Sequence, residues 1–176
     1  MGHADHVGLI EKGIKKNSGG IWADFGSGEG AFTLALRDVV GPEVEIYSID
    51  RDERSLGIQK EKFSEMFPDS NIHFIPADFT EVLDFPPLDG LIAANSIHFH
   101  KDTVRVVKQL SKYLKPGGTF IVVEYNVDHG NTWVPYPFSF ESFQHVAVEA
   151  GLKDIQLLAT HPSNFLQEMY AAKASL

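Results

Sequence analysis

The sequence contains no cysteine, which excludes disulfide frameworks, thiolate zinc sites and cysteine nucleophiles. It has no apolar run near the roughly 18 residues that a membrane-spanning helix requires. The stretch from Met1 to Lys16 is interrupted by His3, Asp5, His6, Glu11 and Lys12. Such a stretch is not a secretory apolar region, so a cytoplasmic protein with no membrane partner is expected. Positive charge is also scarce: 15 Lys and Arg stand against 24 Asp and Glu, a formal net charge of -9. A protein that grips a phosphate backbone concentrates Lys and Arg on one face. Here the densest basic group is Lys12, Lys15 and Lys16, which fits a solvated helix end, so nucleic acid is not an expected partner. Repeats, low-complexity segments and linkers are absent as well.

What remains is an ordinary globular balance, 43% hydrophobic and 22% charged over 176 residues. That length suits a single domain, residues 1–176, with a full core. Strand-like and helix-like segments alternate, which predicts an α/β fold with a largely parallel sheet covered on both faces. A short helical segment within residues 1–19 precedes strands at Ile21–Phe25, Val44–Ile49, Ile72–Ile75, Asp89–Ala94 and Thr119–Glu124. Helices are expected at Glu29–Val40, Asp52–Phe67 and Ser139–Ala150, and after a cap at Asp102, where Val104, Val107, Leu110 and Leu114 share one face. Lys115-Pro116-Gly117-Gly118 reads as a stop before the fifth strand. Two last strands, Ile155–Ala159 and Phe165–Ala172, are close enough to pair as an antiparallel hairpin.

The sharpest chemical signal is Asp24-Phe25-Gly26-Ser27-Gly28-Glu29-Gly30, at the junction of a strand and a helix. Glycines let the backbone turn tightly and approach a ligand. The free N–H groups of the helix start favour negative charge. Asp50 ends the next strand, 20 residues after Gly30, where a carboxylate can accept both hydrogen bonds of a ribose diol. Asp78 follows the third strand beside Phe79, a pair that can accept from an adenine amino group and pack on its ring. Each of the three also fits a plain turn or capping residue. Together they fall at the carboxyl ends of consecutive strands, the edge where open α/β sheets bind ligands.

These residues resemble those of the class I S-adenosylmethionine-dependent methyltransferases, over about residues 18 to 173. Asp24, Gly26, Gly28 and Gly30 match that family's acidic-x-Gly-x-Gly-x-Gly signature, Asp50 its ribose-binding acid, and Ala77-Asp78-Phe79 its adenine-binding segment. Asn95-Ser96-Ile97-His98-Phe99 and Leu114-Lys115-Pro116-Gly117-Gly118 are similar to segments of its small-molecule branch, which includes the ubiquinone and menaquinone methyltransferases. The resemblance implies a Rossmann-like, doubly wound, mostly parallel seven-stranded sheet of order 3-2-1-4-5-7-6 with the C-terminal strand antiparallel. It implies S-adenosylmethionine as cofactor, S-adenosylhomocysteine as product and a small-molecule methyl acceptor. Its cofactor-binding residues would be Asp24, Phe25, Gly26, Ser27, Gly28, Gly30, Asp50, Arg51, Ala77, Asp78, Phe79 and Asn95.

The acceptor side is less sharply marked. Only about 20 residues precede the first strand, whereas the family often has a longer helical segment over its substrate. The acceptor site is therefore open, closed by the loop 126–138, or closed by a second subunit of a homodimer. His98 is the candidate base, since an ordinary histidine pKa of about 6.5 suits proton transfer near neutrality. It fits equally a hydrogen-bonded loop histidine. Trp133, Tyr136, Phe138 and Phe140 would wall an acceptor pocket or else cover the core, and Asn126, Asp128 and His129 would supply polar groups. The substrate-binding candidates are thus His98, Asn126, Trp133 and Tyr136. No Asn/Asp-Pro-Pro-aromatic motif follows strand four, which argues against amino-methylation of nucleic acid. No metal is expected: His98-Phe99-His100-Lys101-Asp102 is similar to a metallo-β-lactamase-like site, but Thr103 stands where the last His belongs. A nicotinamide-dependent oxidoreductase shares the glycine turn and the acid at strand two, but not Asp24, the Asp78-Phe79 pair or the final hairpin. A related domain that binds the cofactor or a partner without catalysis would keep the same residues.

Overall fold

The computed structural model describes residues 1–176. Its strands are β1 (Gly20–Phe25), β2 (Val44–Asp50), β3 (Asn71–Pro76), β4 (Leu88–Ala94), β5 (Leu114–Tyr125), β6 (Lys153–Pro162) and β7 (Glu168–Ser175). Its helices are α1 (His3–Ile10), α2 (Ala31–Val40), α3 (Glu53–Met66), α4 (Thr103–Ser111) and α5 (Phe140–Glu149). The strands form one sheet of order β3-β2-β1-β4-β5-β7-β6. The first five are parallel, and β7 runs antiparallel between β5 and β6. This is the order that the family resemblance implies.

The sheet is buried on both faces because its central strands are apolar on both. Side chains alternate across a strand, so Phe120 and Val122 of β5 join the core under α4 and α5, beside Val107, Leu110 and Phe143. Ile121 and Val123 join the opposite core with Leu9 and Ile10 of α1 and Leu36 and Val39 of α2. Polar caps start three helices. Asp52 accepts from the Arg54 N–H at 3.0 Å, Asp102 from Arg105 at 3.0 Å and the Ser139 hydroxyl from Ser142 at 3.2 Å. Each satisfies an N–H that the helix itself leaves free.

Three local expectations are corrected. Helix α4 turns Val106 and Val107 inward rather than Val104, and Leu114 belongs to β5. Lys115–Gly118 does not precede β5 but bulges from it, between the Leu88–Leu114 and Gly90–Thr119 pairs. Beside the bulge the Gly117 N–H donates to the Leu176 carbonyl and the Leu176 N–H to the Gly118 carbonyl, partners that local sequence cannot reveal. Finally, Phe165 stands outside β7, in the hairpin loop between β6 and β7. No helix is long and apolar enough to cross a membrane.

Strand order reverses between β1 and β4. Open parallel sheets leave a crevice at the carboxyl edge at this point, and it brings the ends of β1, β2, β3 and β4 together.

Candidate active site

After Phe25 the chain turns back over the sheet edge. The N–H groups of Gly26 and Ser27 both donate to the Ile49 carbonyl, at 2.8 and 3.0 Å, which pins the turn to the end of β2. Gly26 has φ +77°, and a Cβ there would lie 2.4 Å from the Cβ of Ser96 and 3.1 Å from the Phe79 ring. Ser96 is held in place by its hydroxyl, which donates to the Phe25 carbonyl at 2.7 Å. Only glycine lets the two strand ends approach this closely. Gly30 has φ +85° and begins α2; a Cβ there would lie 2.4 Å from Gln59.

Two clefts flank this turn. One, of about 610 Å³, opens between the turn, α1, α2 and the β6–β7 loop. The other, of about 320 Å³, opens toward the ends of β2 and β3. Gly26, Gly28 and Asn95 line both, so the clefts form one groove along the sheet edge.

The groove is acidic at its centre. Asp24 is 1% exposed. One oxygen accepts from the Thr33 hydroxyl at 2.6 Å, and the other is buried without a hydrogen-bond partner. Burial, reinforced by the nearby charge of Asp50, pushes its carboxyl up to about 7. The side-chain oxygen of Asn95 is likewise buried and unpartnered, on a residue with φ +53°. Two unpaired acceptors lining one cleft create a demand for hydrogen-bond donors, since a buried polar group left unpaired is costly.

Asp50 brackets the turn: it accepts from the Gly28 N–H at 2.7 Å and from the Asp52 N–H at 2.8 Å. Asp50, Arg51, Ala77, Asp78 and Phe79 all line the second cleft. One Asp78 oxygen accepts from both the Thr80 N–H (2.9 Å) and hydroxyl (2.7 Å), and these bonds hold its carboxyl below the usual range. The Phe79 ring meets His100 edge-on at 5.3 Å. His100 lines the same cleft, and burial lowers its imidazole.

Most of the remaining expected residues lie away from the two clefts. The Phe25 side chain is in the core, stacked on Tyr113 at 5.7 Å. Ser27 lines the first cleft, but its hydroxyl sits 2.8 Å from that of Ser48, in a buried group with Gln59. Gly30 serves the helix start rather than a cleft wall. His98 is 3% exposed and lines neither cleft. Its Nδ1 is 2.8 Å from the fully buried Glu124 carboxylate, which also accepts from the His98 backbone N–H at 3.2 Å. The Tyr136 N–H donates to the His98 carbonyl at 2.9 Å, so this pair braces the loop. Asn126 braces its other end, donating to Glu168 and accepting from the Phe140 N–H. Trp133 is 73% exposed, and neither it nor Tyr136 lines either of these two clefts. His6, Phe32, Tyr125, His161 and Phe165 also line the first cleft, with no signal in the sequence to mark them. They come from distant segments with no shared motif.

A family model for a methyltransferase domain matches residues 16–165. A ubiquinone/menaquinone biosynthesis C-methyltransferase of Pasteurella multocida is 28% identical over 105 residues, 58% of this chain and 39% of that protein. A demethylmenaquinone methyltransferase of Staphylococcus aureus is 28% identical over 117 residues, 66% of this chain and 46% of that protein. The chain thus spans less than half the length of these curated relatives. The crystal structure of a SAM-dependent methyltransferase from Aquifex aeolicus shares the fold, with a TM-score of 0.73 at 17% identity, over 97% of this chain and 89% of that one. With nearly its whole sheet inside the matched span, the chain belongs to the methyltransferase domain family and has the fold of the class I S-adenosylmethionine-dependent enzymes.

Proposed function

We propose that this chain is an S-adenosylmethionine-dependent methyltransferase acting on a small-molecule acceptor. The observation that carries the reading is the pair of unpartnered acceptor oxygens, on Asp24 and Asn95, beside the glycine turn. An amino acid's ammonium group would supply the donors that these oxygens lack, and no bond of either to the protein would have to break. The residues fit the rest of the cofactor as well. Asp50, Arg51, Ala77, Asp78 and Phe79 line the half of the groove suited to an adenosine. Asp50, although bonded to two backbone N–H groups, keeps lone pairs for a ribose diol. The free oxygen of Asp78 can accept from an adenine amino group while Phe79 packs on the ring. Gly26 and Gly28 let the ligand lie against the backbone, and Asn95 joins the two halves.

When bound, S-adenosylmethionine supplies a methyl group already activated on a sulfonium. The protein's own part is orientation and exclusion of water. The acidic centre of the groove suits a cationic donor, and the low-dielectric walls around Asp24 strengthen that attraction.

Calorimetry tests the reading directly. S-Adenosylhomocysteine is expected to bind in the micromolar range or tighter, roughly -8 kcal/mol, with no comparable binding of NAD. Tight NAD binding without S-adenosylhomocysteine binding contradicts it. Within the same experiment, Asp50→Ala removes a charged acceptor worth about 1.5–3 kcal/mol and frees the Gly28 N–H. Affinity for S-adenosylhomocysteine should fall about ten- to a hundredfold, with a native circular-dichroism spectrum. Unchanged affinity would leave Asp50 as a bracket for the turn alone.

A further inference from the structure

Beyond the glycine turn, the outer walls of the larger cleft have a distinct chemistry. Phe32 of α2, Tyr125 at the end of β5 and Phe165 of the β6–β7 loop line it, with Met169. The Tyr125 and Phe165 rings pack at a tilt of 47° with centres 5.9 Å apart. His6 of α1 meets the Phe32 ring edge at 4.8 Å, and His161 of β6 lines the same cleft. The walls are tied together: the His161 ring lies 3.7 Å from the Asp5 carboxylate, and His3 lies 3.1 Å from Asp38 at the end of α2. No Lys or Arg lines this cleft.

We infer that this outer cleft is the methyl-acceptor site, that it takes a flat, uncharged aromatic hydroxyl compound, and that His6 is the base that accepts the hydroxyl proton. The inference rests on the cofactor reading above. The rings of Phe32, Tyr125 and Phe165 favour a planar apolar body. With no Lys or Arg on these walls, a carboxylate- or phosphate-bearing acceptor would find only the exposed Met1 amino group as a fixed counter-charge. A protonated amine carries no lone pair to accept a methyl group. A neutral aromatic hydroxyl needs only a flat slot and a base, and imidazole is the base available.

Burial holds the His6 imidazole below the usual histidine range, so it is neutral and able to accept a proton near pH 7. The Met1 amino group, His3 and His161 lower it further, and Asp5 opposes them. In the transfer step, the carbon–oxygen bond forms as the methyl carbon–sulfur bond breaks. The electron pair of the broken bond remains on sulfur, which becomes a neutral thioether. The hydroxyl proton passes to the His6 imidazole and from there to water at the cleft mouth.

The test uses the whole chain saturated with S-adenosylhomocysteine, and 2-naphthol as the probe, followed by calorimetry and by ligand-observed NMR. Naphthol is expected to bind, and Phe165→Ala, at a half-exposed position that the fold does not require, should weaken it at least about tenfold without changing S-adenosylhomocysteine affinity. With S-adenosylmethionine as donor, His6→Gln should lower naphthol turnover about a hundredfold at little change in KM, whereas Phe165→Ala should chiefly raise KM. Cyclohexanol and benzylamine should neither bind nor react. Failure of naphthol to bind while S-adenosylhomocysteine binds overturns the inference alone. Failure of S-adenosylhomocysteine to bind overturns the cofactor reading and the inference with it. Naphthol binding lost in Trp133→Ala but kept in Phe165→Ala moves the acceptor to the loop 126–138 and overturns the inference. So does an unchanged turnover in His6→Gln.

Discussion

Alanine at position 26 is expected to abolish measurable S-adenosylhomocysteine binding and to lower the melting temperature by several degrees. Two costs add. A side chain at φ +77° adopts the left-handed backbone at about 1–2 kcal/mol. Its Cβ would also lie 2.4 Å from that of Ser96, a separation that cannot persist. Ser96 cannot retreat freely, because its hydroxyl is bonded to the Phe25 carbonyl. The turn must therefore shift into the groove, where the cofactor would lie against it. With a combined cost of about 2–4 kcal/mol, a chain of this size should melt about 5–15 °C lower. Affinity should fall more than a hundredfold. Gly28→Ala is the comparison: it has φ +54° but nothing within 4 Å of its Cβ, so it carries the conformational cost without the clash. Its melting temperature should stay closer to wild type. Equal losses in the two variants would show that the contact with Ser96 does not limit the turn.

Asp24→Asn is expected to separate cofactor affinity from stability, moving them in opposite directions. The carboxyl lies at about 7 in the folded protein, against an ordinary value near 3.9 in an unfolded chain. The folded state therefore favours the protonated acid. The stability that this provides is fully present below the unfolded value and is lost as pH rises through about 7. Asparagine keeps the Thr33 bond and never ionises. The variant should thus melt progressively higher than the wild type between about pH 4 and 7, with the gap constant above that range. Binding runs the other way, because an ammonium group prefers the ionised acid. Wild-type affinity for S-adenosylhomocysteine should rise from pH 6 to pH 8, while that of the variant should be flat. At pH 8 the variant should bind about ten- to a hundredfold more weakly, the effect of losing a charged acceptor of about 1.5–3 kcal/mol. Calorimetry and melting curves over the same buffers measure both. A wild-type affinity that does not vary with pH would remove Asp24 from contact with the ligand's ammonium group.

Much of this architecture was legible because its signals are local. The strand that ends at Asp24, the glycine turn and the helix after it are contiguous, and each depends on alternation, backbone freedom or capping within a few residues. Asp50 and Asp78 could be placed by the same means, since Asp50 closes β2, Asp78 follows the end of β3, and all parallel strands of such a sheet end at one edge. His98 could not be placed in this way. A histidine just beyond a strand looks poised for chemistry, and nothing near it in the chain reveals that its partner is Glu124, 26 residues on and fully buried. The aromatic loop misled for a related reason. Asn126 and Asp128 read as ligand groups, yet their hydrogen bonds go to the β7 and α5 segments that anchor the loop.

By itself, then, the sequence determined the order of the strands and helices, the glycine turn and the acids at the sheet edge, because these follow from period, turn chemistry and the common direction of parallel strands. Tertiary structure alone decided which residues face the outer cleft. His6, Phe32, Tyr125, His161 and Phe165 meet there because Leu9 and Ile10 bury α1 against α2 and the neighbouring strands, and because β7 inserts beside β5 and carries the hairpin loop with it. Those positions are set by burial of apolar surface between segments more than a hundred residues apart, a quantity with no signature in any short window of the chain.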